Sequence, residues 1–304
     1  PYLKKVLAKT PSDSWLSIDS SFSGNLGGAL KTEGVLKYSS DARQERAVLR
    51  DASVPHRGGL QYKISMDKDS INIEELKTES GPFKFNASGS LKEIFSKDPV
   101  VQIDMKTDAF QINKSIDYLP LNIFPEDYHA VIQKTFKNGS VKLNSFKFNG
   151  TVKQLREISK PENRAKITGE VEMRKVDWQS PLPPLQKVTG TFKVDKGNSS
   201  FHIQKARYEK QPLTNLQGSI ENFMTRPVAD LSLENTVEIA QFHRTLKSAF
   251  KGHPIHDALS VYSDFKGSAN VRLNVKGPLE DFDKLAIAGE IDFQSVSLDE
   301  KDFE

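Results

Sequence analysis

Cysteine is absent from all 304 residues. Disulfide staples, thiolate metal ligands and a cysteine nucleophile are therefore excluded. A chain of this length without thiols fits an oxidising compartment, where stray thiols are a liability, or a bacterial protein. Long apolar runs are missing too. No stretch of about 18 apolar residues occurs, so no segment reads as a membrane-spanning helix, and no signal-peptide pattern opens the chain. Neither charge sign dominates: Lys plus Arg total 43 against 40 Asp plus Glu, a net charge of +3. Basic residues are interleaved with acids and serines, which gives no general pull toward nucleic acid. Catalytic signatures are lacking as well, with no G-x-S-x-G, P-loop, G-x-G-x-x-G or H-E-x-x-H. Hydrophobic residues make up 37% and mean hydropathy is −0.52, low for a compact two-layer domain but too patterned for disorder.

What is present is alternation. Leu60, Tyr62, Ile64 and Met66 are separated by Gln61, Lys63 and Ser65. Val101, Ile103 and Met105 alternate with Gln102, Asp104 and Lys106, and Leu231 and Leu233 with Asp230, Ser232 and Glu234. Leu16, Ile18 and Phe22 share one parity, with Ser20 the exception. Successive strand side chains point to opposite faces, so each segment has one apolar and one wet side. That suits an antiparallel sheet solvated on one face. "DKDS" at 67–70, "TESG" at 78–81, "KNGS" at 137–140 and "DKGNSS" at 195–200 read as turns of a hairpin meander.

The chain also repeats itself. "GEVEMRKVDW" at 169–178 returns as "GEIDFQSVSL" at 289–298. In each, the apolar parity slips midway: Val171 and Met173, then Val176 and Trp178; Ile291 and Phe293, then Val296 and Leu298. One extra residue in an alternating strand is the mark of a β-bulge, which returns the apolar side to its face and curls the sheet. Leu143 to Phe146 offers a third case. "INIEELKTESGPFKFNASGSL" at 71–91 echoes "FHIQKARYEKQPLTNLQGSI" at 201–220, and "DPVVQIDM" at 98–105 echoes "RPVADLSL" at 226–233. Such self-similarity means stacked supersecondary units. Helices are expected at 124–139, with Pro125 at the start and Gly139 past the end, and at 237–252, with Phe242, Leu246, Ala249 and Phe250 on one face. A short one follows around 254–262.

Other candidate chemistry reduces to structure. The close histidine pair, "HPIHD" at 253–257, is interrupted by Pro254 and lacks a third partner, so surface or capping roles fit better than a metal site. "GNLGGAL" at 24–30 has no helix pattern after it and reads as a hairpin turn. "DKDS" has too few acidic ligands for a calcium loop. Asn86, Asn113, Asn138, Asn149 and Asn198 stand in Asn-x-Ser/Thr triplets, several in Asn-Gly turns, and are read as turn chemistry. Trp15 and Trp178 are too distant in sequence to suggest a sugar platform, and no carboxylate pair stands out for glycoside chemistry. No cofactor or metal is expected, and an enzyme is not.

The run "ITGEVEMRKVDWQSPLPPLQKVTGTFKVDKGNSSFHIQKARYEKQPLTNLQGSIENF" at 167–223, with its step Pro212, Leu213, Leu216 and Gly218, resembles the AsmA-like family of Gram-negative bacteria, in its large YhdP and TamB type. "FKGSANVRLNVKGPLEDF" at 265–282 is similar to that family too. The likeness is a rhythm of glycine and apolar alternation and not one diagnostic residue. It implies a bridge-like lipid-transfer protein: a periplasmic β-groove with an apolar interior, moving phospholipid between membranes. It implies phospholipid as partner, attachment to the inner membrane through an N-terminal anchor outside this stretch, and outer-membrane or envelope proteins as further partners, but no nucleic acid.

The expected fold is mostly β: a long curled antiparallel sheet forming an open, taco-like apolar groove, with two or three short helices. The chain is expected to be one continuous segment of a longer protein, with repeat units at approximately 15–139 and 140–266 and a third beginning at 267–304. Alternation alone suggests an ordinary packed core. The resemblance turns the apolar parity into groove lining: Leu60, Tyr62, Ile64, Met66, Phe83, Phe85, Val101, Ile103, Met105, Val171, Met173, Val176, Trp178, Phe192, Val194, Leu231, Leu233, Ile291 and Phe293. The competing expectation is a structural or interaction β-repeat module of the cell envelope with a closed core.

Overall fold

The computed structural model describes residues 15–25, 28–39, 57–80, 82–115, 136–158, 160–178, 185–208, 211–222, 226–249, 256–257, 260–279, 281 and 284–300. These residues are mostly strand. The first strands are β1 (Trp15–Gly24), β2 (Leu30–Ser39), β3 (Arg57–Met66), β4 (Ser70–Ser80), β5 (Phe83–Lys92), β6 (Val100–Thr107) and the two-residue β7 (Phe110–Gln111). A short helix, α1 (Ile112–Ser115), follows. Next come β8 (Ser140–Thr151), the helical turns α2 (Val152–Arg156) and α3 (Pro161–Arg164), then β9 (Ile167–Trp178), β10 (Leu185–Asp195), β11 (Asn198–Tyr208), β12 (Gln211–Glu221) and β13 (Val228–Glu238). The chain continues with α4 (Ile239–Ala249), β14 (Tyr262–Pro278) and β15 (Ala286–Glu300).

The strands hydrogen-bond in chain order from β1 to β15, with β7 set beside β8. Every register that is defined is antiparallel. β1 and β15 each have a single strand neighbour, so the order is open and not closed into a barrel. By contact density the chain divides into two compact units, Pro1–Glu172 with Lys193–Gly197 and Met173–Phe192 with Asn198–Glu304. The three boundaries fall within β9, within β10 and at the β10–β11 turn.

Turn chemistry fixes the hairpins. Asp67 accepts from the Asp69 amide at 2.9 Å and the Ser70 hydroxyl at 2.7 Å, closing β3 onto β4. The β10–β11 turn places Lys196 at φ 49° and Gly197 at φ 86°, the paired positive dihedrals of a tight two-residue hairpin. Across the glycine-rich turn between β1 and β2 the Asn25 amide donates to the Ala29 carbonyl at 3.3 Å, and the Gly28 amide donates to the Asn25 carbonyl at 2.9 Å.

The parity slips are bulges. Lys175 in β9 and Ser295 in β15 occupy the same seventh position of the repeated phrase and have φ 55° and 53°. In β15, Ser297 lies opposite Lys266 and Gln294 opposite Ser268, so two β15 residues face Gly267 alone, at φ 102°. In β9 the Lys175 amide donates to the Thr189 hydroxyl at 3.1 Å, and the Lys187 amide, itself at φ 53°, donates to Asp177 at 3.0 Å. Met173 and Val176, on either side of Lys175, are both buried.

The third expected case, Leu143 to Phe146, shows no register shift: Phe146 lies opposite Met105 and Val141 opposite Phe110 with the same offset, and the Phe110 ring meets Phe83 edge-on at 5.3 Å. A further slip occurs in β4, between Ile73 and Leu76, and in β12 Asn215 has φ 52° between Leu213 and Leu216.

The helix expected at 237–252 is found as α4, starting two residues later because Val237 and Glu238 complete β13. Phe242 packs on Val237, Ile239, Ala269 and Val271, beside Phe265 and Leu273. Leu246, Ala249 and Phe250, expected on that face, have no described side chain. The helix expected at 124–139 falls largely outside the described residues. Of the short one around 254–262, His256, Asp257 and Ser260 are helical, and Tyr262 already begins β14.

Candidate functional site: an uncovered apolar sheet face

Directly opposed residues of antiparallel neighbours project to the same side, so register alone sorts the side chains. In the first unit four rows cross the sheet. One runs Phe22, Thr32, Ile64, Ile73, Gly89, Ile103, Phe148; its neighbour runs Ser20, Gly34, Tyr62, Leu76, Ala87, Met105, Phe146. The flanking rows hold Ile18, Leu36, Leu60, Thr78, Phe85 and Thr107, and Leu30, Met66, Ile71, Leu91, Val101 and Gly150. None of these positions carries a charge.

The charges are gathered on the other side. Lys63 pairs with Glu33 at 3.5 Å, Lys84 with Glu79 at 2.9 Å and Lys147 with Asp104 at 3.4 Å. That side also holds a depression of about 500 Å³ whose polar lining includes Ser88, Ser90, Gln102, Asp104 and Lys147. Glu170 lies beside Lys193 at 3.0 Å and receives the Asn144 amide at 3.0 Å. The bond from Lys193, then that from Asn144, holds its carboxyl below the ordinary 4.5.

The second unit repeats the arrangement. Leu216, Leu233, Leu273 and Gly289 form one row, Gly218, Leu231, Val275 and Ile287 the next, and Asn235, Val271 and Ile291 a third. Ala269 and Phe293 complete it beside Val237. On the opposite side Arg272 stands between Glu234 at 3.7 Å and Glu290 at 2.8 Å, and Lys276 binds Asp230 at 3.0 Å.

Leu60, Tyr62, Ile64, Met66, Phe83, Phe85, Val101, Ile103 and Met105 thus share one face of the first unit, and Leu231, Leu233, Ile291 and Phe293 one face of the second. Phe83, Met173 and Val176 are fully buried; Val171, Phe192 and Val194 are half-buried. The Trp178 side chain lies outside the described residues. Register adds members that simple alternation overlooks: Ile71, Ile73 and Leu76 around the β4 bulge, Phe146 and Phe148 in β8, and Val271, Leu273 and Val275 in β14. Their signal in the sequence is an apolar pair three apart between two alternating runs, as in Ile73 and Leu76 or Leu213 and Leu216.

These faces are unevenly covered. In the second unit α4 packs through Ile239 and Phe242 on Val237, Ala269 and Val271, yet Ile287, Ile291 and Phe293 of β15 remain 57%, 41% and 60% exposed. In the first, Ile18 and Phe22 are 58% and 70% exposed, while Phe148 is sealed. Aromatic side chains come close to glycines here. A Cβ on Gly34 would sit 2.9 Å from the Tyr62 hydroxyl, one on Gly150 would sit 2.9 Å from the Phe148 ring, and one on Gly58 would clash with Tyr38.

Buried polar groups on these faces mostly serve the backbone. Thr107 accepts from the Leu143 amide at 2.9 Å. Asn235 accepts from the Thr214 amide at 3.1 Å and donates to the Pro212 carbonyl at 2.7 Å, clamping β12 to β13. Among the described residues no cluster of His, Asp or Glu is gathered for a metal ion, and no helix is long and apolar enough to cross a membrane.

The comparisons agree with this geometry. The model of one protein family, described as YhdP protein, matches residues 37–304. No curated protein and no solved structure matches the chain. An open, sequentially paired antiparallel sheet with a repeated bulged phrase accompanies that match, and the chain belongs to the YhdP family, within the AsmA-like, TamB-type group.

Proposed function

We propose that this chain binds phospholipid acyl chains along the apolar sheet faces and conducts them, as part of lipid movement between membranes across the periplasm. The carrying observation is the apolar face left open to solvent at β1 and β15, where Phe22 and Phe293 are 70% and 60% exposed. An apolar face must be covered, and a hydrocarbon guest covers it without a second sheet. Moving a lipid tail through water costs about 0.8 kcal/mol per CH₂, on the order of 20 kcal/mol for two ordinary tails. A continuous apolar surface removes most of that barrier, and no catalysis is required. Family membership supports the same role, with the protein held at the inner membrane and working with envelope components.

The test is lipid capture by native mass spectrometry. Ile18→Asp, Phe22→Asp and Phe293→Asp place charge on the apolar face at positions already in water, so the fold should survive. Ser17→Asp and Ser21→Asp place it on the other side of β1. Loss of bound phospholipid in the first set with retention in the second is expected. Equal loss in both sets, or no lipid in the unmodified chain, would reject the proposal.

One observation favours a scaffold instead: α4 packs on part of the second unit's apolar face. A scaffold would hold its stability and release no lipid on extraction.

A further inference from the structure

Ser20 is the polar exception in the apolar alternation of β1, and the fold gives it a partner. Its hydroxyl lies 2.6 Å from that of Tyr62, two strands away. Gly34 stands between them in the same cross-strand row. A Cβ on Gly34 would meet the Ser20 oxygen at 2.7 Å and the Tyr62 oxygen at 2.9 Å. Glycine at this position therefore lets the two hydroxyls meet above β2.

We infer that this Ser20–Gly34–Tyr62 row is a hydrogen-bonding station that donates to the ester carbonyl of a bound acyl chain. The inference rests on the lipid-binding reading and adds a chemical preference to it. Two hydroxyls bring two protons. One is used in the mutual bond, and the other remains to be donated, with lone pairs left on both oxygens. Thr107 and Asn235, buried polar groups of these faces, bond to backbone amides and carbonyls, Asn235 also accepting from the Thr214 hydroxyl at 2.9 Å. The Ser20–Tyr62 pair satisfies no backbone group. A donor set in an apolar surface matches an acceptor embedded in hydrocarbon, which in a phospholipid is the ester carbonyl. A phosphate would require a cation. The charged residues of β1 to β3, namely Asp19, Lys31, Glu33, Lys37, Arg57 and Lys63, occupy register positions of the opposite face.

The experiment compares capture of a diester phosphatidylethanolamine with its diether analogue of equal chain length, by the chain and by the double variant Ser20→Ala/Tyr62→Phe, which removes both hydroxyl protons. Ether oxygens are poor acceptors, so the chain should prefer the diester roughly two- to twelvefold, the worth of one hydrogen bond. The double variant should lose that preference, read as the ratio of diester to diether captured. In the infrared, the carbonyl stretch of carbonyl-labelled diester should sit lower on the chain than on the double variant. A pair that merely ties β1 to β3 would weaken both lipids equally and leave the carbonyl band unmoved, overturning the inference alone. An unmodified chain that shows no preference would do the same. Capture of neither lipid would reject the binding proposal, and this inference with it.

Discussion

Phe148 and Phe22 stand at the two ends of one cross-strand row, yet one is 1% and the other 70% exposed. Their substitutions should separate accordingly. Phe148→Ala leaves a cavity over Gly150 and should cost about 3–5 kcal/mol, whereas Phe22→Ala should stay within about 0.5 kcal/mol. Urea unfolding midpoints of the two variants check the contrast. Glu170 supplies a pH handle at the same scale. Its bonds from Lys193 and Asn144 lower the folded pKa below 4.5, so the carboxylate stabilises the fold above the unfolded value. That contribution is lost as pH falls through the folded value. Glu170→Gln should therefore be the less stable protein at neutral pH, with the gap closing below about pH 4.5. Thermal melts across that range measure it, and a gap independent of pH would contradict the assignment.

Among the elements, the bulged strands carry the strain. Lys175 and Ser295 hold left-handed dihedrals that cost a residue with a Cβ roughly 1–2 kcal/mol relative to glycine. Glycine inside a regular strand is instead destabilising by roughly 0.5–1 kcal/mol. Lys175→Gly and Ser295→Gly should thus raise the melting temperature, while Lys37→Gly, in the regular run of β2, should lower it. A fall in all three would show that the bulges are not the source of the strain. The repeated phrase exposes this device in the sequence because both copies slip parity at the same step. The β4 bulge leaves only the apolar step from Ile73 to Leu76, which a two-residue period does not register.

For the whole chain, antiparallel pairing of sequence neighbours explains why so much could be read in advance. When each strand bonds to the one before it, local turn chemistry at Asp67, Asn25 and Gly197 settles the topology, and no crossover is needed. The apolar rows were legible for the same reason. Leu60, Ile64, Ile103 and Leu231 fall on apolar parities that registers later join into rows.

The sequence by itself determined the strands, their apolar and wet sides, and the bulges of the repeated phrase, since each follows from alternation and turn residues within one hairpin. Coverage was decided only in three dimensions. Whether a given apolar position is sealed, as Val176 and Phe148 are, or left open, as Phe22 and Phe293 are, depends on which strand or helix arrives above it. The same holds for Ser20. Its parity marked it as an exception, but its meeting with Tyr62 over Gly34 required the registers of two neighbouring pairs to agree, and no local pattern encodes that agreement.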